Sequence, residues 1–373
     1  MKTRLSKSSI GASEIQSVVE VLKKGYLGMG EEVSKLELEL ASYLGGKASV
    51  VCVSSGTAAL QLALEAYDVG NGDEVIVPSF TYVATFQAIS ATGAIPVPVD
   101  VEYDSGFISL TEVQARMNKK TKAIMPVHYA SSCRNIEQFY ELSEATGIPI
   151  IEDAAHSFGG MYGQRKIGSF GETVCFSFDG IKNITCGEGG AVVTANSAVA
   201  QRVKDARLLG VEKDTEQRYT GNRSWDFDVS RQGWRYHMSN INAAIGRAQL
   251  HRINEFTQQR QLLAKVYVDE LKDEKKINLF IDNLEGICPH IFPIKIDTSL
   301  RAKVEADLDH GEVEFGYHYK PNHLLSYFKD LSQSFPVSEL LWDEVITLPL
   351  HYDLKRSDVE RICKIVKESI NGY

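Results

Sequence analysis

Apolar residues along the chain follow two alternating patterns. Apolar residues that recur every three or four positions predict amphipathic helices, which span residues 8–24, 31–44, 58–67 and 135–146. Short apolar runs rich in β-branched and aromatic residues predict buried strands, which lie at residues 49–53, 74–77, 95–100, 122–127, 149–152, 173–178 and 191–194. Because strands alternate with helices, we predict an α/β fold with a mostly parallel sheet flanked by helices.

The pattern changes in the last third of the chain. Residues 240–272 keep helical spacing after Ser239, which suits an N-cap. Strands at residues 291–296 and 313–319 and a helix at 356–370 then predict a smaller C-terminal α/β domain. We therefore predict a large domain over residues 1–245 and a small domain over residues 246–373.

Between these parts lies a polar, arginine-rich segment, residues 201–235. A helix over residues 199–209 opens it, and a long loop with Trp225 and Trp234 follows. We interpret most of its charges as solvated surface. The alternative is that one or two arginines bind a phosphate or diphosphate, which a guanidinium can grip with two hydrogen bonds.

Charge and cysteine content narrow the classes of function. A formal net charge of −9 argues against bulk binding of nucleic acid. The six cysteines lie far apart and lack CxxC spacing, so neither a zinc site nor a disulfide framework is predicted. No apolar run approaches the ~18 residues of a membrane span, and the first residues lack the apolar core of a signal peptide. We therefore expect a cytoplasmic globular protein that binds no membrane and no metal.

One stretch, residues 175–190, combines a strand, a lysine and a glycine cluster. The apolar strand leads into a turn that presents Lys182, and Gly187, Gly189 and Gly190 follow. Glycines permit tight backbone paths that other residues do not tolerate. We interpret Lys182 as a nucleophilic amine at the floor of a site; a surface lysine in a turn is the alternative.

A second stretch, residues 149–158, supports this interpretation. It is a short apolar run that ends in Glu152 and Asp153 and continues to His156. A carboxylate at a strand end, upstream of a reactive lysine, suits pyridoxal 5′-phosphate (PLP), because the lysine binds the aldehyde and the acid pairs with the pyridinium nitrogen. Glu152, one residue earlier, is predicted to point to the opposite face of the strand.

The first strand leads into an expected anion site. It is followed by a turn of small residues and a helix N-terminus, where unpaired N–H groups and the helix dipole attract anions. We assign the PLP phosphate there, with Gly56 and Thr57 as backbone donors; an ordinary βα turn is the alternative. Four polar residues follow predicted strand ends, where open parallel sheets bind ligands: Tyr82, His128, Asp153 and Lys182.

Five stretches together resemble a known family: residues 55–60, 78–84, 152–156, 177–182 and 187–190. In them the chain looks like the nucleotide-sugar aminotransferases, fold-type-I PLP enzymes that make amino sugars for antibiotics and bacterial surface glycans. The similarity covers nearly the whole chain. The blocks around Asp153 and Lys182 especially resemble members that aminate C4 of a keto sugar.

The resemblance implies roles for further residues. Tyr82 matches an aromatic that stacks on the pyridine ring, although a tyrosine packed in a loop is the alternative. Ser177 would donate to the phosphate, and His156 would approach the 3′-oxygen or the ring, or simply pack. In the segment of residues 317–323, His318 and Tyr319 would contact the sugar or close the site. His290 and His351 are interpreted as structural.

The chain departs from the family at residues 233–239. Many relatives carry an asparagine there that reaches across a dimer interface to the partner's PLP phosphate. This chain has Arg235 and His237 instead. We assign the role to Arg235, which brings more charge, and keep His237 as the alternative.

The resemblance implies an aminotransferase that moves an amino group from L-glutamate to C4 of a nucleotide-linked 4-keto-6-deoxy sugar. The carrier would be dTDP or UDP, and the product would enter surface-glycan or O-antigen lipopolysaccharide synthesis. A homodimer with shared active sites is expected. Three alternatives stay open: a 3-keto sugar aminotransferase, a PLP-dependent sugar dehydratase, whose members place histidine at the position of Lys182, and a non-enzymatic relative that binds a nucleotide sugar.

Overall fold

A computed structural model describes residues 2–223, 225–281, 283–329 and 333–372 of the chain. The strands in this part are β1 (Ser49–Val53), β2 (Glu74–Pro78), β3 (Ile95–Val99), β4 (Thr121–Ile124), β5 (Ile151–Asp153), β6 (Met161–Tyr162), β7 (Arg165–Lys166), β8 (Thr173–Ser177), β9 (Gly190–Thr194), β10 (Ile277–Leu279), β11 (Phe292–Ile296) and β12 (Val345–Leu348). The predicted strands of the first 200 residues are thus all present, most within one or two residues of their predicted ends.

The α-helices follow in the same order. They are α1 (Ala12–Lys24), α2 (Glu31–Tyr43), α3 (Gly56–Ala66), α4 (Val83–Ala91), α5 (Leu110–Arg116), α6 (Ile136–Thr146), α7 (Ser197–Ala206), α8 (Asp214–Tyr219), α9 (Asn240–His251), α10 (Ile253–Leu271), α11 (Thr298–His310), α12 (Pro336–Glu344) and α13 (Arg356–Asn371). None of these helices, within the described ranges, is long and apolar enough to cross a membrane.

The larger sheet is mixed but mostly parallel, as predicted. Its strands form two hydrogen-bonded groups in the orders β1-β9-β8-β5 and β3-β2-β4. Parallel bridges from Ile124 to Ile150 and from Val127 to Asp153 join β4 to β5. Strand β9 runs antiparallel to both β8 and β1, while β8 runs parallel to β5. The carboxyl ends of β1, β2, β4, β5 and β8 therefore meet at one edge of the sheet.

Both faces of this sheet are covered. Side chains alternate across a strand, so Val50 and Cys52 pack in one core with residues of α2, whereas Val51 and Val53 pack in a second core with residues of α3. A third core lies around the antiparallel sheet β10-β11-β12 and includes residues of α10, α11 and α13. The division into residues 1–245 and 246–373 stays a prediction, and its boundary falls inside α9.

Two predicted elements of the C-terminal part are wrong. The helix predicted over residues 240–272 is two helices, because Arg252 lies between them with φ −102° and ψ 3°. No strand forms at residues 313–319. Only isolated bridges pair there, from Thr3 to Val313 and from Gly316 to Thr347, so a continuous ladder is lacking in this described segment.

The arginine-rich segment also differs from its prediction. The loop contains the short helix α8, and some of its arginines are buried or paired rather than solvated. Arg207 is fully buried, donates to Glu37 and to the Cys52 carbonyl, and contacts Tyr219. Leaving a buried guanidinium without partners would cost stability. The contacts of Arg207 with Glu37 and Cys52 therefore hold the end of α7 against α2 and β1.

Candidate active site

A cavity of about 390 Å³ opens at the carboxyl edge of the larger sheet. Its volume lies in the range of small-molecule sites, roughly 300–1,000 Å³. The lining residues come from strand ends, from the N-termini of α3 and α4 and from the C-terminal part of the chain: Ser55, Gly56, Thr57, Leu60, Thr81, Tyr82, Ala84, Val127, Asp153, Ala155, His156, Cys175, Phe176, Ser177, Asp179, Ile181, Lys182, Glu188, His290, His318 and Tyr319. Every predicted cofactor- or substrate-binding residue except Arg235 is among them, whereas His128, which also follows a predicted strand end, is not.

Lys182 lies in the connection between β8 and β9. Its backbone N–H donates to the Asp179 carbonyl at 3.1 Å, which closes a turn and directs the side chain into the cavity. Burial disfavours the charged amine and lowers the pKa of Lys182 to about 8, although Asp153 and Asp179 oppose this shift. The amine is therefore much closer to its neutral, nucleophilic form at neutral pH than an exposed lysine.

Asp153 ends β5 and is buried beside the cavity. Its Oδ2 accepts a hydrogen bond from Thr85 Oγ1 at 2.9 Å, and its Oδ1 accepts one from the Ala155 N–H at 3.2 Å. Burial raises the pKa of Asp153, and these hydrogen bonds and the charge of Lys182 oppose that rise. A cation beside the Asp153 carboxylate would be stabilised, because its charge compensates for the solvation that the buried carboxylate has lost.

Glu152 points to the opposite face of β5, as predicted. Its Oε2 lies 3.0 Å from His128 Nε2, and its Oε1 accepts a hydrogen bond from the Tyr140 hydroxyl at 2.6 Å. His128 follows a strand end as well, but it contacts Glu152 and does not line the cavity. Of the two adjacent acids, only Asp153 faces the cavity.

The N-terminus of α3 forms one wall of the cavity. Ser55 caps this helix, because its Oγ accepts the Ala58 N–H at 3.1 Å. Two glycines keep the wall concave: a Cβ on Gly56 would lie 2.8 Å from the Ser177 Cβ, and a Cβ on Gly190 would lie 2.8 Å from the Gly56 nitrogen. The resulting cradle has free N–H groups and a nearby hydroxyl, which is the arrangement that binds phosphate.

Aromatic and imidazole rings that contact one another form another wall of the cavity. The His156 Nε2 lies 3.0 Å from the Tyr319 hydroxyl, and the rings of Tyr82 and Tyr319 lie 5.4 Å apart. Tyr82 is 57% exposed, so most of its ring remains available to a flat ligand. The His318 Nδ1 lies 2.9 Å from Thr347 Oγ1, and burial lowers the pKa of His318 to about 4. These imidazoles are therefore neutral at pH 7.

Arg235 lies outside this cavity. Its side chain is exposed, and its backbone forms an isolated bridge with Leu208. His237, the alternative, is partly buried, and burial lowers its pKa to about 4. Within one chain the structure therefore does not bring either residue to Lys182.

Sequence reasoning missed three groups. His290, interpreted as structural, places its Nε2 3.3 Å from Lys182 Nζ. Thr85 lies one position after the matched stretch of residues 78–84 and received no role, and it holds Asp153 by a hydrogen bond. Glu188 lines the cavity near Asp179, and burial with the nearby carboxylate raises its pKa. The signal for His290 is absent from its local sequence, because its contact depends on packing between residues far apart in the chain.

The residues of the cavity fit PLP. The α3 cradle with Ser177 suits a phosphate, Asp153 suits a protonated ring nitrogen, and Lys182 suits the aldehyde. Two buried imidazole nitrogens on the same wall, Nδ1 of His156 and of His290, lack a hydrogen-bond partner among the described residues. No group of histidine, cysteine, aspartate or glutamate in the described ranges could hold a metal ion.

Known proteins resemble this chain over its full length. A family model of the DegT/DnrJ/EryC1/StrS aminotransferases matches residues 8–367. The aminotransferase TlmJ from Streptoalloteichus hindustanus is 29% identical over 100% of both chains, with a TM-score of 0.91. Helicobacter pylori PseC, an aminotransferase involved in the biosynthesis of pseudoaminic acid, is 25% identical over 100% of both chains, with a TM-score of 0.92.

Another similar solved structure is the PLP-form of Spr1654 from Streptococcus pneumoniae, which is described as a sugar aminotransferase. It is 28% identical, covers 100% of this chain and 99% of its own, and has a TM-score of 0.90. These similarities confirm the predicted fold class, an α/β fold of the PLP aminotransferase type. Because the family model extends over nearly the whole sequence, the chain belongs to the DegT/DnrJ/EryC1/StrS aminotransferase family.

Proposed function

We propose that this protein is a PLP-dependent aminotransferase that moves the amino group of L-glutamate to C4 of a nucleotide-linked 4-keto-6-deoxy sugar. The cofactor prediction is confirmed by family membership and by similar structures in PLP- and PMP-forms. The observation that carries the proposal is the convergence of Lys182, Asp153 and the N-terminus of α3 on one cavity.

Bound PLP supplies an electron sink that stabilises negative charge on the donor's α-carbon. The chain's own residues hold it and move protons. Lys182 would be the covalent anchor of the cofactor, and its amine Nζ, once free, would act as the base that takes the proton from the donor's Cα and carries it during the transfer. For the keto sugar the same proton movement runs in reverse.

The remaining groups orient the cofactor. Asp153, held by Thr85, would pair with the ring nitrogen and keep it protonated, because an adjacent carboxylate favours the cation. Gly56, Thr57 and Ser177 line the cavity and would hold the phosphate, and Tyr82, which also lines it, would stack on the ring. His156, whose Nε2 lies within hydrogen-bond distance of the Tyr319 hydroxyl, would approach the 3′-oxygen or the ring.

Support for the substrate comes from the family and from the matched motifs. Similar structures include sugar aminotransferases, among them PseC with its place in pseudoaminic acid synthesis. His318 and Tyr319 line the cavity, where they would contact the sugar or close the site. The C4 position rests on the resemblance of residues 152–156 and 177–182, and the dTDP or UDP carrier rests on the resemblance to the family as a whole. We place the product in cytoplasmic synthesis of surface-glycan or O-antigen sugars.

We further propose a homodimer with shared active sites. Apolar side chains of the arginine-rich segment are exposed in the single chain, including Trp225 at 85% and Phe227 at 56%. Exposed aromatic side chains of this kind commonly become buried at interfaces. Arg235 belongs to the same segment, so in such a dimer the Arg235 of one subunit would contact the phosphate bound at the N-terminus of α3 in the other subunit.

The decisive experiment combines L-glutamate with UDP-, dTDP- and GDP-linked keto sugars and determines the products by mass and NMR. Amination at C4 is expected. Amination at C3 would favour the 3-keto alternative, and a deoxygenated product without an amine would indicate a dehydratase. The Lys182→Ala variant should lose both turnover and the visible absorbance of bound PLP, and an active variant would refute the role of Lys182.

A further inference from the structure

The strongest observation that the proposed function does not use is the contact between His290 and Lys182. The Lys182 Nζ lies 3.3 Å from His290 Nε2, within hydrogen-bond distance. His290 lines the same cavity and is only 4% exposed. It precedes β11, in a part of the chain that otherwise packs around the smaller sheet. The amine of Lys182 is thus contacted by a residue more than a hundred positions away.

The backbone of His290 is fixed on both sides. Its N–H donates to Ser131 Oγ at 3.4 Å, and its carbonyl accepts from Arg260 Nη1 at 3.2 Å. The same Arg260 nitrogen lies 3.3 Å from the Pro289 carbonyl and 3.2 Å from the Leu350 carbonyl. Arg260 is buried, so these contacts hold the strand entrance rigidly. The ring of His290 packs 4.6 Å from the ring of His156, which limits its rotation.

The hydrogen-bond roles follow from the chemistry of the two groups. A protonated lysine has donors and no acceptor, so the His290 Nε2 must accept and the ring proton must lie on Nδ1. His290 Nδ1 is buried without a partner among the described residues. A buried polar atom without a partner in a native fold calls for an explanation, and a functional role is one. Here the unpaired nitrogen is the consequence of aiming Nε2 at Lys182.

We propose that His290 is a positioning residue whose Nε2 accepts a hydrogen bond from the free amine of Lys182 and directs it within the cavity. This inference rests on the proposed role of Lys182. A neutral amine has two hydrogens and one lone pair. When His290 holds one hydrogen, the lone pair points toward the donor and the cofactor, which is the orientation that proton transfer needs.

The proposal predicts a pH effect in the cofactor-free protein. The titratable residues that line the cavity together with Lys182 are Tyr82, Asp153, His156, Cys175, Asp179, Glu188, His290, His318 and Tyr319. A hydrogen bond to the charged form of a group favours that form. Loss of the His290 acceptor should therefore lower the pKa of Lys182, while the surrounding carboxylates stay in place.

The test compares two substitutions of similar polarity. In His290→Gln an amide atom reaches the place of Nε2, whereas in His290→Asn it reaches only the place of Nδ1. Lys182 of the cofactor-free protein is labelled with an amine-acylating reagent across a pH series, and its peptide is quantified by mass spectrometry. We expect the midpoint of His290→Asn to fall by about one pH unit, a tenfold change in the proton equilibrium, and that of His290→Gln to stay near wild type.

His351→Asn is the matched control, because His351 is similarly buried at 5% and does not line the cavity. It should leave the midpoint unchanged. In PLP-loaded protein, single-turnover absorbance with L-glutamate should slow at least about tenfold in His290→Asn, with cofactor affinity retained. An unchanged midpoint in His290→Asn, or equal shifts in Asn and Gln variants, would overturn the proposal. The labelling result stands whether or not a keto sugar is aminated, so it is separate from the proposed function.

Discussion

Asp153 and Glu152 are neighbours on one strand, yet they face different surroundings. Asp153 meets the cavity and is held by Thr85, whereas Glu152 is locked between His128 and Tyr140. Alternation along β5 separates the two carboxylates across the sheet. One acid is therefore available to a ligand, and the other stabilises the packing behind the site.

The two acids give a paired prediction. Asp153→Asn should lower kcat at least about tenfold, because the amide no longer favours a protonated ring nitrogen. Its melting temperature should change little. Glu152→Gln should destabilise the fold by roughly 1–3 kcal/mol, because its hydrogen-bond network is broken, and should leave kcat of the folded protein near wild type. Steady-state kinetics and thermal unfolding of both variants check this, and exchanged effects would contradict it.

The lowered pKa of Lys182 gives a second prediction at this scale. Only the neutral amine attacks an aldehyde, and below its pKa of about 8 the amine is protonated. The rate at which the cofactor-free protein captures PLP should therefore rise with pH and level off above about 8. Absorbance of the bound cofactor measures this rate, with Lys182→Ala as the blank. A rate that still climbs toward the ordinary lysine pKa of ~10.4 would show an unperturbed amine.

The sequence contained the signals for Lys182 and Asp153, because both follow strand ends and both belong to short local motifs. The partners of these residues were harder to predict. His290 lies 108 positions from Lys182, and Tyr319 lies 163 positions from His156. No periodicity encodes such pairs, since they arise when separate elements pack against each other.

At the scale of elements, the approach of β9 to the start of α3 shapes the phosphate cradle. Gly190 opens β9 and lies against Ser55 and Gly56 so closely that a Cβ would clash with their backbones. The antiparallel β9, inserted between β8 and β1, thus brings Ser177 beside the helix N-terminus.

Gly190→Ala tests this packing. We expect a loss of about 1–3 kcal/mol in stability, as in other overpacked cores, and weaker binding of PLP because the cradle widens. Gly28→Ala is the control, since nothing lies within 4 Å of a Cβ there. Thermal unfolding and PLP titration provide the measurements. Equal behaviour of the two variants would show that the close approach is not required.

Helices and buried strands were predictable where the apolar period was regular. The prediction failed where tertiary contacts decide the backbone. Arg252 ends α9 and turns its guanidinium to Glu14 in α1 at 3.0 Å and over the Phe256 ring. Residues 313–319 have the aromatic content of a strand, but His318 and Tyr319 line the cavity instead of joining a ladder.

At the scale of the whole molecule, the proposed homodimer with shared active sites can be tested by complementation. In a mixed dimer of Lys182→Ala and Arg235→Ala subunits, one site would combine an intact Lys182 with the intact Arg235 of the other subunit. We expect each variant alone to be impaired. Refolding an equal mixture should restore about a quarter of wild-type activity, because half of the dimers are hybrids with one intact site each.

The result distinguishes two positions of Arg235. If Arg235 served its own subunit, no site in the mixture would be complete and activity would not recover. Lys213→Ala, a substitution in the same arginine-rich segment and outside the cavity, serves as the control for activity lost during mixing and refolding. Mixed with the Lys182→Ala variant, it should yield activity in proportion to the intact Lys182 subunits.

The cavity draws one wall from residues near 55 and another from residues 290–319. During synthesis, Lys182 would therefore leave the ribosome long before residues 290–319 are available to form their wall of the cavity. PLP can therefore bind only after the C-terminal third of the chain has packed against the rest. The yellow colour of bound PLP in a preparation then measures the fraction of molecules that are completely folded. A nicked or truncated chain that lacks residues beyond 289 should stay pale even though Lys182, Asp153 and the phosphate cradle are all present.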